Sequence, residues 1–372
     1  MKGTYGQFNY RKSASPDGDP IRAQGESIIQ FASLLKKYTL SGDVDLAGSF
    51  SKTDAKGTFD KAAITNVFGS IFKNKEGRKE LQYILKNSSR SVAKLLHGER
   101  KIVLNARLED NTFALDKTGF QLEHHKSNVS NWDDPEHVAD IYYREIENLV
   151  KRMTGATRTF CNGHLVRKSG DSDGPLGKLF TAVAGPIQFV HNDFCEDYQD
   201  AIIQSYKGIG GKATFGIVDQ MKEAGVQIEE LYNSRLVMVN SWRNISKIPL
   251  TRFPLGVCDA RTVGMNELCR SSVGGGRGMS GSSGMGGEAS LDFYSSLYNE
   301  LHQWYYYPSM LNTEVLLIKT YDSELKPFQP TLHSSFDDEG TSKDAPETQS
   351  CEARILCLIP RKAAQIASMR RV

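Results

Sequence analysis

The sequence contains no apolar run long enough to cross a membrane. Its longest apolar stretch, residues 179–190, is interrupted by Thr181, Gly185, Pro186 and Gln188, whereas a membrane helix needs about 20 apolar residues. The first residues also lack the apolar core of a secretory signal. We therefore expect an intracellular, cytoplasmic protein that has no membrane partner.

The sequence also lacks a strong excess of charge of either sign. Lys and Arg number 46 and Asp and Glu number 44, which leaves a formal net charge of +2. So small a net charge gives no indication of a nucleic-acid partner. With 39% hydrophobic and 24% charged residues among 372, the chain can form a sizeable core, and general disorder is excluded.

Cysteine is sparse, and no two cysteines form a Cys-x-x-Cys motif. There are six in the whole chain, too few for a disulfide scaffold of this length. We predict that all six are reduced and that most of them fill the core as small apolar residues. Since no second Cys-His cluster accompanies them, a structural zinc site is not expected.

Three regions differ in their residue patterns. Residues 1–25 are rich in Gly, Ser, Pro and Asp without periodicity, which predicts a flexible arm. Residues 26–98 carry apolar residues at helical spacing, which predicts a helical N-terminal region that packs on the core. Residues 99–372 form the main predicted domain. It contains a glycine-rich insertion over 270–290, which we predict to be a flexible surface loop or lid.

The main domain alternates short strands with few helices. Residues 135–154 are the clearest helix, because Pro135 suits a first turn and apolar residues recur every three to four positions. Further strands are predicted near 158–168, 179–193, 235–244, 255–263, 302–307, 314–321, 331–336 and 351–359, and helices near 196–206 and 216–231. Many short strands without regular strand-helix alternation favour an antiparallel jelly roll with outer helices, in a chain that is mainly β with α.

A His-x-Asp motif follows one of the apolar strands. His191 and Asp193 are two residues apart, so both side chains should lie on one face. A 2-His-1-carboxylate triad, which binds Fe(II), needs one more histidine from a distant strand, and His333 is the candidate. The pair His97 and Glu99 is a rival of the same form, but it lies at the end of a helical pattern.

The segment after His333 supplies a candidate carboxylate-binding residue. Ser350, Glu352 and Arg354 alternate along a predicted strand and should share one face. The co-substrate 2-oxoglutarate chelates a metal through its 1-carboxylate and 2-keto oxygens, so its distal carboxylate would be a buried charge that needs a cation. We predict that Arg354 binds this carboxylate with help from the Ser350 hydroxyl. The alternative is a surface arginine at the edge of the strand.

Several segments resemble the Fe(II)/2-oxoglutarate-dependent oxygenases of secondary metabolism. This family includes a fungal gibberellin desaturase, a meroterpenoid endoperoxidase and a cephamycin methoxylation component. The similar segments are residues 113–120, 154–156, 235–243, 254–263, 302–307 and 314–323. The resemblance implies a double-stranded β-helix that holds Fe(II) at His191, Asp193 and His333, with 2-oxoglutarate on Arg354. It also implies an enzyme that consumes 2-oxoglutarate and O2, releases succinate and CO2, and oxidises a small natural product.

Several functional alternatives stay open. Hydroxylation, desaturation and oxidative cyclisation share their first steps, and kainoid-type ring closure is one candidate outcome. A different reading is a jelly-roll isomerase or hydrolase that uses Zn(II) without 2-oxoglutarate. A third is a non-catalytic partner subunit, although an intact triad with its arginine argues against it. The sequence does not indicate an oligomeric state.

The residues that would contact the substrate are also open. Asn240 and Trp242 share one strand face, Ser241 and Arg243 share the other, and either face could point inward. Arg243 and Arg261 would suit an acidic substrate, although such arginines are more often structural ion-pair partners. All of Asn240, Trp242, Arg243 and Arg261 are therefore candidates.

Overall fold

The described part of the chain is built mainly from two β-sheets. The structure, a computed structural model, describes residues 3–15, 75–77, 79–80, 95–109, 113–168, 187–209, 216–273, 291–342, 344–346 and 348–361. Within these ranges it contains one nine-stranded and one five-stranded sheet and a few helices. The prediction of a mainly β fold with α is confirmed. No helix in the described ranges is both long enough and apolar enough to cross a membrane.

Fourteen strands and four α-helices have defined bounds in the described ranges, and residues 75–77 and 79–80 are also helical. The strands are β1 (Gly3–Arg11), β2 (Leu96–Asn105), β3 (Phe120–His124), β4 (Arg158–Lys168), β5 (His191–Asn192), β6 (Ser234–Asn244), β7 (Leu255–Cys258), β8 (Leu268–Val273), β9 (Leu291–Ser296), β10 (Trp304–Tyr306), β11 (Glu314–Asp322), β12 (His333–Ser335), β13 (Asp337–Asp338) and β14 (Gln349–Pro360). The helices are α1 (Pro135–Thr154), α2 (Tyr198–Tyr206), α3 (Ile217–Glu223) and α4 (Ile228–Asn233).

The larger sheet has the order β13-β1-β2-β10-β7-β12-β5-β9-β8, and the smaller has the order β3-β11-β6-β14-β4. All pairs are antiparallel except β2 with β10. In the smaller sheet β14 lies between β6 and β4, with Arg354 opposite Asn240 and Ser350 opposite Arg167. These two registers decide which side chains of neighbouring strands lie beside one another on the smaller sheet.

Helix α1 has the bounds that the sequence predicts. Asp134 caps its start by accepting a hydrogen bond from the His137 backbone N–H, and proline begins its first turn. Gly155 ends it in the left-handed conformation with φ 70°, which glycine adopts without a steric penalty. The apolar stripe of the helix, which includes Tyr142 and Ile146, packs on one face of the five-stranded sheet. The other face of that sheet is therefore left for the cavity.

The prediction of a flexible arm over residues 1–25 is wrong for residues 3–11. These residues form β1, which pairs with β2 along its whole length. Phe8 and Tyr10 are fully buried, and the Phe8 ring stacks on Trp304 with 4.1 Å between centroids. The segment follows the period of two that is typical of a strand. Its glycines and polar residues are also typical of turns, so the sequence alone did not indicate a strand here.

Two other predicted regions fall largely outside the described residues. Most of the helical region predicted over 26–98 lies there. Its described residues 75–77 and 79–80 are helical, as predicted, whereas His97 belongs to strand β2. Most of the glycine-rich insertion predicted over 270–290 also lies outside, while residues 270–273 belong to strand β8. All six cysteines are free and buried, as predicted.

Candidate metal centre

Three buried side chains on neighbouring strands converge at one point. His191 on β5 and His333 on β12 are directly opposite partners in the antiparallel pair, and Asp193 follows β5 immediately. One potential ligand atom from each of the three lies within 4.8 Å of the other two. The structure thus brings together the three residues that the sequence predicts. The rival pair, His97 and Glu99, instead forms an exposed contact of 2.5 Å on β2.

Both histidine rings are held by backbone carbonyls. Nδ1 of His191 donates to the carbonyl oxygen of Phe189 over 2.9 Å, and Nδ1 of His333 donates to that of Thr331 over 3.0 Å. Because a carbonyl oxygen only accepts, both rings carry their proton on Nδ1 and keep a lone pair on Nε2. Nε2 of His333 is buried and has no hydrogen-bond partner. An unpaired buried polar atom is rare in proteins, and its lone pair is open to a metal ion.

The charges around the three side chains also fit a divalent cation. Burial and the nearby His333 lower the pKa of His191 to about 3, so its imidazole is neutral at physiological pH, the form that binds metal. Although burial raises it, the charge of Arg354 holds the pKa of the Asp193 carboxyl below its ordinary value. Two imidazoles and one carboxylate are the donor set of the facial triad that binds Fe(II).

The second oxygen of Asp193 is held by two polar side chains. Its Oδ2 accepts hydrogen bonds from Nε of Arg354 over 2.8 Å and from Nδ2 of Asn240 over 2.6 Å. The same two side chains contact Glu352, at 2.9 Å from Arg354 and 3.2 Å from Asn240. Although burial lowers it, the charges of Asp193 and Glu352 raise the pKa of Arg354. The guanidinium predicted to bind 2-oxoglutarate therefore contacts a predicted metal ligand in this structure.

An open cavity begins at the histidines and extends between the sheets. The residues that line it include His191, His333, Asn240, Trp242, Ser350 and Arg167. Asn240 and Trp242 are thus on the inward face of β6, which resolves the choice of face left open by the sequence. Ser350 lies in the cavity wall as predicted, whereas Arg354 is not among the lining residues.

The two arginines considered for an acidic substrate lie away from the cavity. Arg243 is fully buried on the opposite face of β6 from Trp242, with its guanidinium carbon 5.4 Å from the centre of the Tyr142 ring. Successive side chains of a strand point to opposite faces of the sheet. Arg243 must therefore face helix α1 when Trp242 faces the cavity. Arg261 is half exposed and pairs with Asp259 at 2.5 Å. Neither arginine lines this cavity, and Arg261 has the ion-pair role that the sequence left as the alternative.

Comparison with known proteins identifies the family to which the chain belongs. The profile of the family described as an oxidoreductase/YMDC permease-like domain matches residues 71–358. The chain belongs to this family. Similar curated proteins are the hydroxylase/desaturase efuI of Hormonema carpetanum, 29% identical over 69% of this chain and 84% of that protein, and the alpha-ketoglutarate-dependent dioxygenase phiK of a fungal species, 26% identical over 74% and 94%.

A solved structure agrees with these relatives. The iron and alpha-ketoglutarate-dependent endoperoxidase NvfI superposes with a TM-score of 0.55 and 25% identity, covering 72% of this chain and 88% of that one. A protein of that name from Aspergillus novofumigatus is also 27% identical in sequence over 60% of this chain and 68% of that protein. This oxidoreductase is accordingly an Fe(II)/2-oxoglutarate-dependent dioxygenase, as the resemblance implied.

Proposed function

We propose that His191, Asp193 and His333 bind Fe(II) and that the adjoining cavity receives 2-oxoglutarate and a small natural-product substrate. The observation that carries this proposal is the buried, unpaired Nε2 of His333 beside two further potential ligands. When bound, iron with 2-oxoglutarate and O2 supplies the oxidising chemistry, and the co-substrate leaves as succinate and CO2.

The chain's own contribution is to fix the ligands before the metal arrives. The carbonyl partners of His191 and His333 hold both rings in the tautomer that presents Nε2 to the metal. Arg354 and Asn240 hold Oδ2 of Asp193, so Oδ1, which lies 3.7 Å from Nε2 of His191, is the oxygen left to bind. Ligands set in this way lose little conformational entropy when the metal binds.

The paired sheets are, in this proposal, a double-stranded β-helix, the jelly roll expected from the sequence. In support, two ligands lie on the adjacent strands β5 and β12 of one sheet, while the cavity wall opposite them comes from β6 and β14 of the other. The oxygenase domain then runs from about residue 99 onward and also includes β1. A cytoplasmic location stays a prediction from the sequence.

The cavity lining favours a partly apolar substrate. Trp242, Leu255 and Ile318 contribute apolar surface, and Asn240 and Glu352 are among the polar groups that line the cavity beside them. The related proteins carry the names hydroxylase/desaturase and endoperoxidase, and we propose an oxidation of the same general kind here. With Arg243 and Arg261 outside the cavity, an acidic substrate has no support from these two residues.

Anaerobic titration tests the proposal directly. Fe(II) followed by 2-oxoglutarate should produce the weak visible charge-transfer band of the metal chelate, and admission of air should then release succinate. The His333→Ala variant, assayed beside the natural protein, should give neither signal. Metal binding that 2-oxoglutarate does not alter, without succinate, would instead favour a metal-dependent isomerase or hydrolase.

A further inference from the structure

We propose that Gly119 and Thr331 are positioning residues for His333, and that together they help to set the affinity of the centre for Fe(II). Neither residue is among those that line the cavity, and Gly119 lies 212 positions before Thr331. This inference rests on the proposed function, because it assumes that His333 binds the metal.

Thr331 holds the ring of His333 through its carbonyl and is itself held through its hydroxyl. Its carbonyl oxygen accepts the hydrogen bond from Nδ1 of His333 over 3.0 Å. Its hydroxyl donates to the carbonyl oxygen of Lys319 over 2.7 Å, and the carbonyl oxygen of Gly119 lies 3.2 Å from the same hydroxyl. Thr331 is fully buried. Loss of its hydroxyl would therefore leave buried carbonyl oxygen without a donor, which is costly.

This hydroxyl connects the two sheets. Lys319 belongs to β11 of the smaller sheet, whereas His333 begins β12 of the larger sheet. Between them, Leu332 is fixed to the larger sheet, because its carbonyl oxygen accepts a hydrogen bond from the backbone N–H of Cys258 over 2.8 Å. A displacement of Thr331 would thus reach His333 directly, since only one fixed residue separates them.

Gly119 leaves the space that the Thr331 hydroxyl occupies. It adopts φ 88°, a left-handed conformation that glycine reaches without steric cost. A Cβ at this position would lie far inside the contact distance of Oγ1 of Thr331, and only 3.2 Å from the Cβ of Ala260. Gly119 is itself fixed, because its carbonyl oxygen accepts a hydrogen bond from the backbone N–H of Lys319 over 2.7 Å. An added methyl group would therefore displace Thr331.

The expected consequence is a weaker hold on the metal. The carbonyl of Thr331 orients the imidazole and keeps its proton on Nδ1, so that the buried Nε2 of His333 presents its lone pair. Removing such a supporting partner of a metal ligand lowers metal affinity by about 10- to 100-fold. A glycine and a threonine outside the cavity would then contribute to iron binding without touching the iron.

The test compares two glycines that share a positive φ but differ in their surroundings. Gly119 has φ 88° and Gly155 has φ 70°, so alanine at either position imposes backbone strain of the same kind. A Cβ at Gly155 would meet no atom within 4 Å. In calorimetric titration without O2, Gly119→Ala should bind Fe(II) about 10- to 100-fold more weakly than the natural protein. Gly155→Ala should bind it unchanged.

Two further variants test the contact from the side of Thr331. Thr331→Ser keeps the hydroxyl and should retain the Fe(II) affinity, whereas Thr331→Val removes the hydroxyl and should lose affinity as Gly119→Ala does. Because both changes break one contact, the Gly119→Ala/Thr331→Val double variant should lose no more than the weaker single variant. The visible spectrum of the Co(II)-loaded protein, which depends on ligand geometry, should change in Gly119→Ala and not in Gly155→Ala.

Equal Fe(II) affinities in the two alanine variants, or losses that multiply in the double variant, would overturn the inference. If Gly119→Ala does not fold, the comparison of Thr331→Ser with Thr331→Val decides, and equal affinities in these two would refute it. If the natural protein itself does not bind Fe(II), the proposed function fails. If it binds Fe(II) and Gly119→Ala binds as tightly, only the role of Gly119 and Thr331 fails.

Discussion

Asn240 donates a hydrogen bond to Oδ2 of Asp193 over 2.6 Å and receives one from Thr320 over 3.1 Å. The amide of Asn240 is therefore fixed at both ends, with its nitrogen toward the metal ligand. Sequence periodicity suggested Asn240 as a substrate contact. The structure adds a second role, because this amide also orients the carboxylate that we propose as a ligand to iron.

Asn240→Ala should weaken Fe(II) binding by about 10- to 100-fold, the usual effect of removing a hydrogen-bond partner of a metal ligand. Calorimetric titration without O2 measures the affinity. The control is Ser241→Ala, because this neighbouring side chain lies on the opposite face of β6 near the Tyr142 hydroxyl at 3.2 Å. Equal losses in the two variants would mean that Asn240 acts through folding rather than through Asp193.

His333→Ala should abolish both metal binding and turnover, because two remaining ligands cannot hold iron against dissociation. His97→Ala, in the exposed pair on β2, should bind Fe(II) as the natural protein does. Metal content after gel filtration and release of succinate are the measurements. Full activity in the His333 variant would place the third ligand elsewhere in the chain.

Asp322 should be a major contributor to stability. Its side chain is 1% exposed and contacts Arg235 at 2.5 Å and Lys319 at 3.0 Å. Although burial raises it, these cations lower the pKa of Asp322. Asp322→Asn removes the buried carboxylate and leaves the buried Lys319 only the exposed Asp116 at 3.3 Å, so the free energy of unfolding should fall by about 3–5 kcal/mol.

Urea denaturation measures that loss. Asp116 contacts the same two cations but is 72% exposed, so Asp116→Asn should change the free energy of unfolding by less than about 1 kcal/mol. Similar losses in both variants would show that burial of Asp322 is not the cause.

Stability should depend on pH through His164. Burial lowers the pKa of this histidine to about 4, from an ordinary value of 6.5, and its Nδ1 lies 2.9 Å from the Tyr143 hydroxyl. Because the unfolded chain takes up the proton more readily, the contribution of His164 is present above pH 6.5 and is lost as the pH falls toward 4. The slope can reach about 1.4 kcal/mol per pH unit.

His164→Gln removes this titration, so its free energy of unfolding should vary less with pH between 6.5 and 4 than that of the natural protein. Urea denaturation at several pH values within this window gives the two slopes. Parallel slopes would assign the acid sensitivity to other groups.

Local signals made some of the fold predictable from the sequence. The bounds of α1 followed from its proline, its apolar stripe and Gly155, and β4 also ended where periodicity indicated. The helix predicted over 216–231 is instead two helices, because Gly225 adopts φ 69° between them. Such a break depends on one backbone conformation that apolar spacing does not reveal.

The ligands and the arginine of the cavity differ in how far the sequence could identify them. His191 and Asp193 were found because their spacing is local, and His333 because a triad requires a second histidine. The place of Arg167 in the cavity wall could not be predicted, since only the register of β4 against β14 places it beside Ser350. Register between distant strands depends on the packing of the whole sheet.

Strand β1 has a consequence for the order of folding. It can pair with β2 as soon as that strand has been synthesised, but its neighbour on the other edge, β13, lies near residue 338. The ring of Phe8 packs against Trp304 and Phe336, so this aromatic side chain is covered only once segments distant in sequence have folded. Closing so long a loop is slow and entropically costly. The sheet that carries His191 and His333 is thus completed only when segments from residue 3 to residue 338 have come together.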